Sequence, residues 1–188
     1  MVNENELFDI LTPEGERTGE TKPRCEVHRD GDWHGSVHIW VLRRRFDGAE
    51  VLMQKRAATK DSNPNCYDAA ATGHIDSGED ALAAAVRELC EEMGIQASPA
   101  DLLPVTRRQV REDRIFHGRR FLNNEINSVY LLTKSVTDSE IHFEEEEISA
   151  VEWQPLDEVM EALSHEDPRY CVTLDELREV VRAAEKLS

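Results

Sequence analysis

The chain has 188 residues, a length at which one domain over residues 1–188 is the default and a core can form without disulfides or a structural metal. Lys plus Arg number 22 against 39 Asp plus Glu, and the formal charge of −17 excludes broad contact with nucleic-acid backbone or anionic lipid. A hydrophobic share of 39% with recurring periodicity excludes a disordered chain.

In chain order, the start MVNENELFDILTPEG has neither a basic nor an apolar signal region, and no apolar run approaches the ~18 residues of a membrane span. A hairpin is expected at about residues 5–22, with Leu7–Leu11 and Arg17–Glu20 as strands around Pro13-Glu-Gly15. Ser36–Arg43 is β-branched and aromatic, hence a strand, and Asp47-Gly48 turns it into Glu50–Lys55. Lys60–Cys66 is a loop. Asp80–Met93 is Ala-rich and stops at Gly94, which predicts a helix begun by Glu79. Ile126–Thr133 and Ala150–Trp153 read as strands and Pro155–Leu163 as a helix. The last helix, about 173–187, opens with a Thr-x-x-Glu capping box, Thr173 with Glu176. Cys25, Cys66, Cys90 and Cys171 form no C-x-x-C pair, so they read as reduced, buried structural thiols of a cytoplasmic protein.

The informative stretch runs from Gly73 to Ile95, GHIDSGEDALAAAVRELCEEMGI. At about 100° per residue, Leu82, Ala85, Val86, Leu89, Cys90 and Met93 form one apolar stripe. Glu88, Glu91 and Glu92 fall together on the other side, with Arg87 beside them. Three carboxylates at that spacing repel, which is either a solvated acidic face or a set of hard oxygen ligands for Mg²⁺ or Mn²⁺. Gly73 and Gly78 free the backbone in front of the helix and favour the second reading, in which the metal turns an acidic patch into a phosphate site.

The spacing Gly73, Glu79, Arg87-Glu88, Leu89, Glu91-Glu92, Gly94, Ile95 resembles the complete box of the Nudix hydrolases. The resemblance implies an α/β fold, an α/β/α sandwich around a mixed β-sheet with the box as loop–helix–loop. It implies hydrolysis of a small diphosphate, a nucleoside diphosphate derivative or another organic diphosphate, by metal-activated water without a covalent intermediate. It assigns Glu88, Glu91 and Glu92 as metal ligands. Arg87 would orient Glu88, Glu79 would support the loop or the metal, and the Gly73 carbonyl would be a further ligand. The base would be Glu88 or a carboxylate elsewhere, and a homodimer is a common assembly in the family.

The flanks resemble a second group of the same fold, the isopentenyl-diphosphate isomerases. Gln54-Lys55-Arg56, Lys60, Pro64 and Gly73-His74 carry that likeness, as do Glu26-Val-His28 to His34 with Trp40, and Asn124-Glu125-Ile126. It implies a second metal or substrate site from His34, His74, Glu125 and, with one residue of spacing adjusted, His28. Arg56 and Lys60 would bind diphosphate. Two positions depart from the isomerase pattern: Thr72 stands where the catalytic Cys is expected, and Asn123 stands for the other metal-binding Glu. A hydroxyl gives no thiolate-like acidity at neutral pH. The reading is therefore a hydrolase on an isomerase-like scaffold, with isomerase activity and a non-catalytic diphosphate sensor as alternatives. KPRCEVHRDGDWH (22–34) with Asn123-Asn124-Glu125 also resembles Nudix domains that plants carry beside a dipeptidyl-peptidase-like domain. Glu144–Glu147 is a solvated loop or the source of a late ligand or base, and Trp153 a core or a substrate-stacking residue.

Overall fold

The computed structural model describes residues 6–46, 48–143 and 145–187. Asn5 of the expected hairpin, Asp47 of the expected turn and Glu144 of the acidic run lie outside the described residues. The chain opens with the antiparallel pair β1 (Leu7–Leu11) and β2 (Arg17–Pro23), then a short helix α1 (Arg24–Asp30) closed by Gly31 in the left-handed region. Strands β3 (Trp33–Arg45) and β4 (Gly48–Arg56) follow, then the short β5 (Tyr67–Asp68) and β6 (Ala71–His74). After α2 (Ala81–Met93) come β7 (Leu102–Phe116), β8 (Arg119–Leu132), β9 (Ile148–Pro155), α3 (Leu156–Ser164) and α4 (Leu174–Glu185).

Strand β3 is the axis of the mixed sheet. One edge pairs in parallel with β8, from Trp33 opposite Asn124 to Val41 opposite Leu132. The other edge is shared, antiparallel, by β6 at Ser36–Ile39 and by β4 at Leu42–Arg45. A strand paired on both edges and covered on both faces is apolar on both, and β3 shows why. Val37, Ile39 and Val41 join the cluster under α2 with Ala84, Ala85, Leu89 and Met93. Trp40 joins the opposite cluster with Val159 and Leu163 of α3 and Leu177 and Val180 of α4. Helices therefore flank the sheet on both faces, as the resemblance implied. No helix among the described residues is long and apolar enough to cross a membrane.

Several boundaries differ from the sequence reading, each for a local reason. Asp80 caps α2, its side chain accepting from the Leu82 and Ala83 amides at 3.0 and 2.9 Å, so Glu79 stays in the loop and does not begin the helix. Strand β7 and the first half of β8 were not predicted. They form a ribbon rich in Arg, in which cross-strand pairing from Leu102–Leu132 to Phe116–Arg119 replaces an apolar pattern. Helix α1 lies in a polar segment with too few apolar residues to signal it. Cys25 is exposed and the other three cysteines are half-buried, so the reading of buried structural thiols is corrected.

The capping box at α4 is half formed. The Thr173 hydroxyl accepts from the Glu176 amide at 3.4 Å, but the Glu176 side chain turns into the sheet. Its Oε1 accepts from Trp40 Nε1 and His38 Nδ1, each at 2.8 Å, and its Oε2 from Arg108 at 3.0 Å. Burial opposes charge on His38, but the Glu176 carboxylate outweighs it and raises the ring to about 9, while Glu176 is held below its usual range. A raised histidine stabilises the fold fully below its unfolded value of 6.5 and loses that stabilisation as pH rises through about 9. Urea unfolding of the wild type and His38→Gln from pH 6 to 9.5 checks this. The stability difference should shrink with pH by up to ~1.4 kcal/mol per pH unit above the unfolded value. A difference independent of pH shows that His38 carries no charge in the fold.

Candidate active site

Helix α2 and strand β6 meet at one glycine. A Cβ on Gly73 would stand 2.0 Å from the Glu88 carboxyl carbon, so only glycine lets that carboxylate lie against the strand. Glu92, one turn on, is 6% exposed. Its Oε2 accepts from the Thr72 amide at 2.8 Å and from Gln54 at 2.9 Å, while its Oε1 has Lys60 Nζ at 3.8 Å. Glu91 is 59% exposed. All three carboxylates line a cavity of 330 Å³ together with Gly73 and Lys60.

Arg87 is the hub of the group. Its Nη1 donates to Glu88 at 2.7 Å and Glu91 at 3.1 Å, and its Nη2 to the His74 carbonyl at 3.0 Å. On its other side it donates to both oxygens of Glu79, at 3.2 and 2.9 Å. Glu79 faces a smaller hollow beside Asp9 and Arg17 and does not line the cavity, so of its two expected roles the geometry supports the loop and Arg87. Burial, and then the charge of Glu92, push Glu88 up to about 8 against the pull of Arg87. Burial pushes Glu92 up to about 7 against Lys60 and the Thr72 amide. Two neighbouring carboxyls raised in this way, Glu92 buried and Glu88 nearly so, are acids short of positive charge.

The predicted phosphate-binding pair also lines the cavity, with carboxylates on both cations. Arg56 pairs with Asp68 at 3.2 Å and donates to the Ser62 carbonyl, and Lys60 pairs with Glu147 at 2.7 Å. Of the acidic run, Glu147 reaches the cavity, whereas Glu145 and Glu146 are exposed. Trp153 packs on the core under the cation of Arg43, 4.0 Å from the ring, and donates to Asp138.

The isomerase-like histidines converge beside this group. One ligating atom each of His28, His34 and His74 lies within 4.8 Å of the others. Phe8 stacks on His34 and His74 with ring centroids 5.4 and 4.6 Å apart. The parallel register sets His34 opposite Glu125, whose Oε1 is 3.9 Å from His34 Nε2 and 3.5 Å from His74 Nε2. His28 Nδ1 lies 3.3 Å from the Leu122 carbonyl and His34 Nδ1 3.0 Å from that of Asp32, which leaves both Nε2 atoms without a partner among the described residues. Burial keeps the rings neutral: His28 falls to about 3, and His34 and His74 lie below the usual value. Burial opposes ionisation of Glu125 too, but the His74 ring outweighs it and holds that carboxyl well below its usual range.

Arg24 was not foreseen, and nothing in its polar segment marks it. Its Nη1 lies 2.8 Å from His74 Nδ1 and its Nη2 donates to Asp61 at 2.9 Å. Arginine only donates, so His74 Nδ1 accepts, and its Nε2 carries the hydrogen toward Glu125.

A family model described as NUDIX domain matches residues 33–174. The chain belongs to the Nudix family. "Nudix hydrolase 3" of Arabidopsis thaliana is 41% identical over 167 residues, 88% of this chain, and the match spans only 21% of that relative's length. An isopentenyl-diphosphate Delta-isomerase of Nocardia farcinica is 31% identical over 175 residues, covering 93% of this chain and 94% of the relative. A crystal structure from Deinococcus radiodurans shares the fold with a TM-score of 0.68 at 18% identity, covering 93% of this chain and 99% of that one.

In this Nudix chain the box combines a close backbone approach at Gly73 with its acids. Gly73→Ala forces Glu88 off β6. The expected result is an unchanged far-ultraviolet circular dichroism spectrum with Mn²⁺ affinity, by calorimetry, about 10–100-fold weaker. Equal Mn²⁺ affinity shows that the seat of Glu88 is not part of a metal site.

Proposed function

We propose that this Nudix chain is a divalent-metal-dependent hydrolase of a diphosphate linkage in a small metabolite. The observation that carries the reading is the pair Glu88 and Glu92, nearly buried and buried side by side on one cavity wall and short of compensating charge. The donor set fits Mg²⁺ or Mn²⁺: carboxylate oxygens of Glu88, Glu91 and Glu92, with the Gly73 carbonyl as an added hard ligand. When bound, the metal supplies positive charge for the diphosphate and lowers the pKa of the attacking water.

The chain's own groups supply the rest. Arg87 holds Glu88 and Glu91 in place through its 2.7 and 3.1 Å contacts. Glu88 takes the proton of water. Arg87 braces its carboxylate at the cavity wall from 2.7 Å, whereas Glu125 and Glu147 face His74 and Lys60. Lys60 and Arg56 turn from their carboxylates toward phosphate oxygens when substrate enters. The substrate is a free small molecule. The negative surface keeps nucleic-acid polymers and anionic membranes away.

The histidine cluster supports a second reading, a metal held by His28, His34, His74 and Glu125 for isomerase chemistry. Neutral rings with Nδ1 on carbonyl oxygens are in the ligating form. Two features weigh against it: Arg24 occupies His74 Nδ1, and the hydroxyl of Thr72, 3.3 Å from Gln54 Nε2, stands in for the catalytic thiol.

The test assays wild type, Glu91→Gln and Glu92→Gln on nucleoside diphosphate derivatives and prenyl diphosphates with Mg²⁺. The variants should lose about 10²–10⁴-fold in kcat/KM. Variants as active as the wild type sink the metal assignment. Incubation with isopentenyl diphosphate in heavy water should leave the substrate and any product free of carbon-bound deuterium. Deuterium in an allylic product establishes the isomerase reading instead.

A further inference from the structure

Asn127 lies in the middle of β8, on the face that continues through Val129 and Leu131 into the core under α3 and α4. It is 0% exposed, it lines the cavity, and neither Nδ2 nor Oδ1 has a hydrogen-bond partner among the described residues. Turning the amide over changes nothing, because both ends are unpartnered.

The polar groups on either side are committed elsewhere. Ser36, opposite Asn127 on β3, donates to Glu125 at 3.1 Å. Arg108, opposite it on β7, donates to Thr173 at 2.8 Å and to Glu176 at 3.0 Å. Asn127 sits between two hydrogen-bonded networks and belongs to neither. Folding alone favours an apolar residue here, as at Val129 two positions on, because a buried amide without partners costs free energy that packing does not return.

We propose that Asn127 is a specificity residue that binds the non-phosphate part of the substrate. It reads a group offering a donor and an acceptor side by side, the edge of a nucleobase or a pair of sugar hydroxyls. The proposal rests on the diphosphate reading and narrows it to polar-headed substrates, since a prenyl chain offers neither partner. The cavity agrees: its pure hydrocarbon side chains are Val110, Phe121 and Val172, set in a lining otherwise dominated by charged and polar groups.

Binding of non-hydrolysable diphosphonates in Mg²⁺, followed by calorimetry, tests this separately from catalysis. The ligands are α,β-methylene-ADP, ribose 5-methylenediphosphonate, dimethylallyl methylenediphosphonate and methylenediphosphonate itself. Wild type should bind one or both of the first two about 10-fold or more tightly than methylenediphosphonate. A gap with the ribose compound assigns the sugar, and a gap with the nucleotide alone assigns the base. In Asn127→Leu and Asn127→Val the gap should close, and at least one variant should melt no lower than wild type without ligand.

Three results overturn the proposal. These are a wild type with no such gap or with its tightest binding to the dimethylallyl compound, a gap that survives in both variants, or both variants melting well below wild type. Because these are binding and melting readouts, failure of the hydrolase reading registers elsewhere, in the activity of the Glu91 and Glu92 variants.

Discussion

A carboxylate leaves water at a high cost unless something answers its charge, and this fold takes Glu88 and Glu92 out of water side by side. Much of the site follows from that constraint. Gly73 lacks a side chain so that Glu88 can lie on the strand. Gln54 and the Thr72 amide hold one oxygen of Glu92, and Arg87 braces one of Glu88. The bracing is incomplete, and both acids remain raised. On the proposed function a metal ion would complete the balance, and such a site is kept for chemistry more readily than for stability.

The same economy separates the two polar systems that meet at the middle of β3 and β8. The His38–Trp40–Glu176–Arg108 network is closed: every acceptor oxygen of Glu176 is used, and its role is to tie α4 to the sheet. The histidine–Glu125 group is open, with the Nε2 atoms of His28 and His34 unmatched among the described residues, and both groups contribute residues to the cavity wall. Equivalent residue types thus serve opposite ends, and satisfaction of their hydrogen bonds distinguishes them better than their identity does.

The box was legible because its signal is spacing, and spacing survives from chain to helix: Glu88, Glu91 and Glu92 share a cavity wall as the wheel predicts. The strand core was legible for the same reason, since β3 alternates Val37, Ile39 and Val41 with Trp40. The β7–β8 ribbon was not, because partner pairing and not apolar alternation makes Arg107 to Arg114 extended. Glu176 shows a deeper ambiguity. Thr-x-x-Glu has the form of a capping box, and only tertiary context reveals that His38, Trp40 and Arg108 take the carboxylate away from the helix end. Arg24 and Asn127 had no sequence signal, because what marks them is the company they keep or lack in space.

The overall charge of −17 then acquires a structure of its own. On the surface it is diffuse and solvated, screened within about 8 Å at physiological ionic strength. In the cavity, burial and the charge of Glu92 raise Glu88, and Lys60 and Arg56 are held there by Glu147 and Asp68. Cations so held can change partner when a diphosphate brings stronger acceptors, provided that a metal has first neutralised the box acids. On the proposed function order therefore matters: a divalent ion held by the α2 carboxylates would reverse the sign of the wall, and only then would Lys60 and Arg56 gain by turning from carboxylate to phosphate. A negative coat that repels polyanions and a site proposed for a small diphosphate are thus compatible, because the second would depend on a charge the chain does not itself carry.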